Sequence, residues 1–302
     1  MMIETRWTDS FPLMNGESAS SFSLRLANFL TVRPEGFLKS AFGDPRSLAH
    51  AVHRHDRLEF LSDASGLDPV ALSRAFVLPT DGSSRELAVL DFTLSENHLD
   101  QSVRRVSPLA LSLDVAASTP PYHRITWCLR DLRFDPATNA PLISACDHCG
   151  RALTWETCSD PGTCGRCGRP LWRAAAPHVP MTQFDLFLCD LFHPNAAVRW
   201  DRRTKLASPL RNWPEGDLID LLRALQRVQR LFPSAHSTDD AVGPSVIEAD
   251  GSISEMLNQN IKAAGSGSST AVTVAAAATM AVLKESPRPV AEFLTSLLVS
   301  RT

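Results

Sequence analysis

Two short runs, Cys146-Asp-His-Cys149 and Cys164-Gly-Arg-Cys167, limit what this chain can fold into more than any others. Each is followed at once by a glycine, Gly150 and Gly168. Two thiols two residues apart can reach one metal only if the chain turns tightly. A trailing glycine permits that turn and lets backbone N–H groups point at sulfur. The separation of the two pairs sits at the short edge of the range for a two-knuckle zinc site. The competing readings are two disulfides, or thiols that meet nothing. Four ligands matched in two knuckles favour one zinc ion. Four thiolates leave the ion no open position, so the expected metal is structural: it holds a small, loop-rich module too poor in apolar residues to fold unaided.

A chain of 302 residues has room for two or three domains. A hydrophobic share of 44% against 21% charged is ordinary for a globular protein. The net charge of -3 argues against a protein that coats nucleic acid by charge alone. Positive charge is concentrated in and after the cysteine region, and residues 199–230 carry eight basic side chains against four acidic. Of seven cysteines, Cys128, Cys158 and Cys189 are left over, an odd remainder that does not suggest a disulfide framework. Met1 to Phe11 is charged and polar, unlike a secretory leader, and the longest apolar run, Ala271 to Leu283, is too short to span a bilayer. A reducing bacterial cytoplasm is the expected compartment, with no membrane partner.

Read in order, the chain begins with an extended tail, where Trp7 and Phe11 are aromatics without periodic partners. They either pack back on the body or anchor a partner protein. Ser18 or Ser20 caps a helix in which Phe22, Leu26, Phe29 and Leu30 share a face. Arg25 on its flank is either a surface charge or a partner for Glu17 that pins the tail. Leu58 to Phe76 reads as helix, tight turn at Gly66, then a second helix capped by Asp68 with Pro69 at its first position. The pattern resembles a helix-turn-helix, although its second helix offers only Ser73 and Arg74 as groove readers. Residues 79–121 give a loop and weakly periodic apolar segments, and a short strand is expected at Tyr122–Cys128. Beyond the cysteines, helices are expected at Met181–Phe192 and Leu218–Leu231. Between them Arg199, Arg202, Arg203 and Lys205 surround Trp200, a run that either grips phosphates or forms a solvated turn. The expected fold is mainly α with a small α+β zinc-ribbon-like module. It divides into a helix-turn-helix-like N-terminal domain (1–120), a zinc-finger module (121–175) and a C-terminal helical domain (176–302).

Three stretches in this order resemble the TniQ family of bacterial transposition target-selection proteins. They are Pro12 to Ser18 running on to Arg25-Leu26-Ala27, Leu61 to Leu78 with its Ser65-Gly66-Leu67 turn, and Tyr122 to Trp127 followed by the Cys146–Cys167 knuckles. Together they cover about the first 175 residues. The resemblance implies a transposition adaptor. Such a protein recognises a target, by DNA contact or by docking on a CRISPR effector complex, and recruits an AAA+ ATPase regulator that brings the transposase for DNA integration. It also implies that the tail with Trp7 and Phe11 hooks the ATPase. Many members have a further pair of Cys/His ligands, for which this chain offers only Cys128, so one zinc is expected. The alternative function is a zinc-containing helix-turn-helix transcription regulator. No Walker lysine loop, H-E-x-x-H or G-x-S-x-G run is found, so catalysis is not expected.

Overall fold

Helices precede and follow a single run of three short strands. The computed structural model describes residues 11–32, 34–42, 51, 53, 55–80, 86–100, 103–206 and 210–231. The chain forms two compact units, Met1–Val179 and Pro180–Thr302. The architecture is mixed: helices with one small three-stranded sheet and a cluster of four cysteines.

In the first unit, α1 (Ala19–Phe29) starts where the Ser18 hydroxyl accepts the Ser21 N–H. It buries Phe22, Leu24 and Leu26. Arg25 is buried too, and it is the pin that ties the tail: it meets the Glu17 carboxylate at 2.5 Å and donates to the Pro12 carbonyl. The Ser21 hydroxyl and Met14 N–H also bind Glu17. Burial raises the Glu17 carboxyl above its ordinary range, against the pull of Arg25 in the other direction.

Helix α2 (Pro34–Phe42) follows, then α3 (Leu58–Ser65) and α4 (Pro69–Ser73). Gly66 ends α3 in the left-handed region, φ +72°, and the Asp68 side chain caps α4 by accepting the Val70 N–H. The second helix of this pair has only five residues, because the chain leaves it at Arg74 to enter a strand. Strands β1 (Val77–Pro79), β2 (Glu86–Val89) and β3 (Phe92–Ser95) form an antiparallel meander in register Val77↔Val89 and Val89↔Phe92. Alternation puts Phe92 and Leu94 inward while Thr93 and Ser95 are half-exposed. The sequence reading missed this sheet. Its strands are three or four residues long, and β2 and β3 are joined through Leu90-Asp91, with Leu90 at φ +58° and no Asn-Gly or Asp-Gly signal.

Helix α5 (Pro108–Ala116) was also missed. It has Ser107 as cap and Pro108 in its first turn. Its apolar residues lie on both sides, Leu111 buried and Leu109 and Leu113 exposed, so no clear helical stripe marks it. Tyr122–Cys128 is not a strand. It pairs with the tail only at Glu17↔Arg124 and then tightens into a 3-10 turn over Ile125–Cys128. The division expected near Pro120 falls inside the first unit. The Ser18 N–H donates to the His123 carbonyl and the Ile125 N–H to that of Gly16, so residues 16–18 and 122–125 are built together.

In the second unit, α6 (Gln183–Leu191) opens with a reciprocal cap between Thr182 and Asp185. It is followed by α7 (Ala196–Thr204) and α8 (Glu215–Leu231). Phe187, Leu188 and Leu191 are buried from α6, and Leu218, Leu221 and Leu222 from α8. No helix among the described residues is long and apolar enough to cross a membrane.

Candidate metal centre

The four cysteines sit on two turns with one backbone design. In the first, the Cys146 N–H donates to the Arg151 carbonyl and the Gly150 N–H to the Cys146 carbonyl, and Ala145 bridges Ala152. In the second, the Cys164 N–H donates to Arg169, the Gly168 N–H to Cys164, and Thr163 bridges Pro170. Gly150 and Gly168 occupy the same position of the turn with φ of +66° and +70°, the left-handed region that a side chain disfavours. Gly165 answers to a different constraint. A Cβ there would lie 2.0 Å from the Thr157 carbonyl oxygen, so only glycine lets the second knuckle seat against the loop before it.

The turns face each other. Cys146 Sγ lies 3.8 Å from Cys167 Sγ, and Cys149 Sγ lies 3.8 Å from Cys164 Sγ. All four sulfurs are within 4.8 Å of one another. Every cysteine among the described residues is free, and 3.8 Å is far beyond the roughly 2.05 Å of a disulfide. The four sulfurs could hold a metal ion. This is the only such group of Cys, His and carboxylate side chains among the described residues.

The first cysteine of each knuckle points inward. Cys146 and Cys164 belong to a core with Val106, Leu111, Trp127, Ile143, Leu153 and Leu171, while Cys149 is half-buried and Cys167 exposed. An ion here would tie a core to a surface. At Cys164 burial works against the thiolate, but the N–H groups of Cys167 and Arg166 and the thiols of Cys167 and Cys146 bring it down to about 7. At Cys167 the Arg169 N–H favours the thiolate, but burial and the other three thiols push it up to about 11.

The second knuckle is braced from behind by Arg104, which the sequence reading overlooked. Its side chain is fully buried, donates to the carbonyls of Pro161 and Thr163, and lies 5.4 Å from the Trp155 ring centre. His123 lies in the same region, with its Nδ1 hydrogen-bonded to the Ser18 hydroxyl and its ring against the edges of Trp127 and Trp155. Burial, then the charges of Arg104, Arg105 and Arg124, hold His123 well below its ordinary range, so it stays neutral. The Ser18–His123 contact resembles a nucleophile with its base, but both residues are 1% exposed or less and no substrate can reach them.

A third turn has the knuckle backbone without the cysteines. The Asp135 N–H donates to the Ala140 carbonyl, the Asn139 N–H to the Asp135 carbonyl, and Phe134 bridges Pro141. Asn139 has φ +55°, at the position of Gly150 and Gly168. Asp135 and Thr138 therefore stand where the two cysteines of a knuckle would stand. The Asp135 carboxylate accepts from Trp127 Nε1 at 2.7 Å and from the N–H and hydroxyl of Thr138. The sequence held the signal: Asp-x-x-Thr followed by Asn has the spacing of Cys-x-x-Cys followed by Gly.

The other expected site residues are dispersed. Trp7 lies outside the described residues. Phe11 is 8% exposed: its ring packs on Phe22 and Phe29 at 5.5 and 5.0 Å under the Arg25 guanidinium, and its N–H binds the Ser65 carbonyl. It holds the tail to the protein's own body. Arg74 is exposed just after α4. Arg199, Arg202 and Arg203 fall on helix α7 and not on a turn, with Lys205 at its C-cap. Arg199 donates to the carbonyls of His193 and Pro194, Arg202 pairs with Asp190 and Arg203 with Glu215. Lys205 pairs with Asp201 but remains half-exposed. A phosphate would have to compete with these contacts. Compared with models of known families and with curated proteins, the chain matches none.

Proposed function

We propose that the protein is a non-catalytic adaptor of the TniQ type, whose centre is stapled by one zinc ion and whose surfaces join a target to an AAA+ ATPase regulator of transposition. The observation that carries the zinc is the sulfur spacing. Bonds of about 2.3 Å from a tetrahedral zinc put its sulfurs about 3.8 Å apart, the separation of both cross-knuckle pairs. An all-sulfur tetrahedron suits zinc and leaves no position for a substrate. The adaptor reading takes further support from the two serine–histidine contacts among the described residues: Ser18–His123 is buried, and Ser95–His98 is a turn cap.

Five residues of α4 make about 7.5 Å of helix, a short reach into a major groove. That weighs against the alternative, a helix-turn-helix transcription regulator. Within the tail, the inward packing of Phe11 leaves Trp7 as the hook for the ATPase. The DNA contacts in this reading fall to Arg74 and Lys205, with Arg199, Arg202 and Arg203 contributing as their internal partners are exchanged for phosphate. Three measurements on the full chain test the proposal. Elemental analysis should find one zinc per chain. The purified protein should not hydrolyse ATP. Trp7→Ala should weaken capture of an AAA+ ATPase encoded beside the gene. An unchanged pull-down removes the hook, and turnover of ATP by the chain removes the adaptor.

A further inference from the structure

The two cysteine knuckles repeat each other position by position, and the repeat breaks in one informative place. The third residue of each knuckle and the residue after the glycine of the other make up two equivalent pairs. On one side these are His148 and Arg169, and Arg169 donates to His148 Nδ1 at 2.9 Å. On the other side the equivalents are Arg166 and Arg151. Both are exposed, and with Cys149 and Cys167 they line an open cavity of about 410 Å³. Neither side chain has a hydrogen bond or ion pair among the described residues. One pair satisfies itself. Its counterpart places two arginines on the lining of one cavity, with no acceptor among the described residues.

The geometry points to a phosphate-binding site between Arg151 and Arg166. Each guanidinium presents planar, forked N–H donors that match two oxygens of a phosphate, and one comes from each knuckle. The cavity lies in the size range of small-ligand sites, roughly 300–1,000 Å³. It is open to solvent, so the phosphate can belong to a nucleic-acid backbone or be a free ion. A metal held by four thiolates would give the centre a net charge of about -2. The rival role for the arginines is therefore to neutralise that charge and bind nothing. The site does not depend on the adaptor reading: ATPase recruitment can fail while phosphate binding holds, and the reverse.

The test uses the zinc-loaded full chain and the variant Arg151→Gln/Arg166→Gln, with His148→Ala/Arg169→Gln as the equivalent change on the self-satisfied side. Binding of a labelled DNA duplex is followed by anisotropy as salt rises, and binding of inorganic phosphate by titration calorimetry. If the site takes a nucleic-acid backbone, the first variant loses about 1.8 from the slope of log K against log salt, two contacts at about 0.9 each. The second variant keeps the slope. If it takes free phosphate, the calorimetric signal disappears in the first variant alone while the DNA slope stays. If neither probe separates the first variant from the parent protein, the site is overturned; zinc released to a weaker chelator in that variant would then identify the pair as counter-charge. Should the Gln pair not retain zinc, Arg151→Lys/Arg166→Lys carries the test. It keeps the charge and loses the fork, so the site requires weaker binding at an unchanged slope, and binding equal to the parent's overturns it.

Discussion

The cysteine knuckles and the Asp135 turn share a backbone and differ in what closes it. In the knuckles, two turns present four sulfurs to one another across 3.8 Å gaps that a metal ion would span. At Asp135 a single turn closes on itself: a carboxylate occupies the first ligand position, a threonine the second, and the Trp127 ring N–H comes in from the core. The contrast shows that the turn does not require a metal to form. In the function proposed above, an ion would be needed only to join two turns whose inner faces carry thiols alone. Where a tryptophan and a threonine supply donors, hydrogen bonds suffice.

The largest test of this contrast is Cys164→Ser. Binding energy at such a centre is also folding energy, on the order of 10 kcal/mol. The variant should lose the metal, and protease should cut between residues 146 and 171 while the second unit remains resistant. Removing the metal with a chelator should do the same, and the Asp135 turn should stay protected from hydrogen exchange in both cases. If that turn opens together with the knuckles, the two regions are one cooperative unit and the contrast fails.

Next in size is Asp135→Ala. It strands the buried Trp127 ring N–H, at about 1–3 kcal/mol for a buried donor left alone. The denaturation midpoint should fall and the metal content stay at its parental value; loss of metal here would mean the turn supports the centre directly. A comparable cost, about 3 kcal/mol, is expected for Gly165→Ala, whose Cβ would run into the Thr157 carbonyl. In that case the metal should also be lost more readily to a chelator, since the second knuckle must shift.

The smallest effects sharpen the comparison of backbones. Gly150→Ala has open space around its Cβ and carries only left-handed strain, about 1–2 kcal/mol. At the equivalent position of the third turn, Asn139→Gly relieves a left-handed side chain and should shift stability by no more than about 1 kcal/mol. Equal and opposite shifts in thermal midpoint would show that the two turns bear the same backbone strain.

Much of the centre was legible because its cause is local. Cysteine spacing, a following glycine, the Asp68 cap and the Gly66 turn are consequences of residues a few positions apart and are found as read, and of the two candidate caps for α1 the structure uses Ser18. The sheet and α5 were not, since strands of three or four residues and a helix with apolar residues on two faces carry too little periodicity. The basic run shows the other limit. Its charges were plain in the sequence, but Asp190 and Glu215, which engage Arg202 and Arg203, come from other helices and enter only with folding.

The amino-acid order alone determined that four sulfurs could gather in two tight turns, because each turn is fixed by its own six or so residues. Only the tertiary structure decided the rest. It placed the two turns face to face, put Arg104 behind one and a core beneath both, and left Arg151 and Arg166 lining one cavity with no acceptor among the described residues. It also made Asp135, an unremarked carboxylate in the sequence, the counterpart of Cys146, where its carboxylate accepts from the buried Trp127 indole N–H.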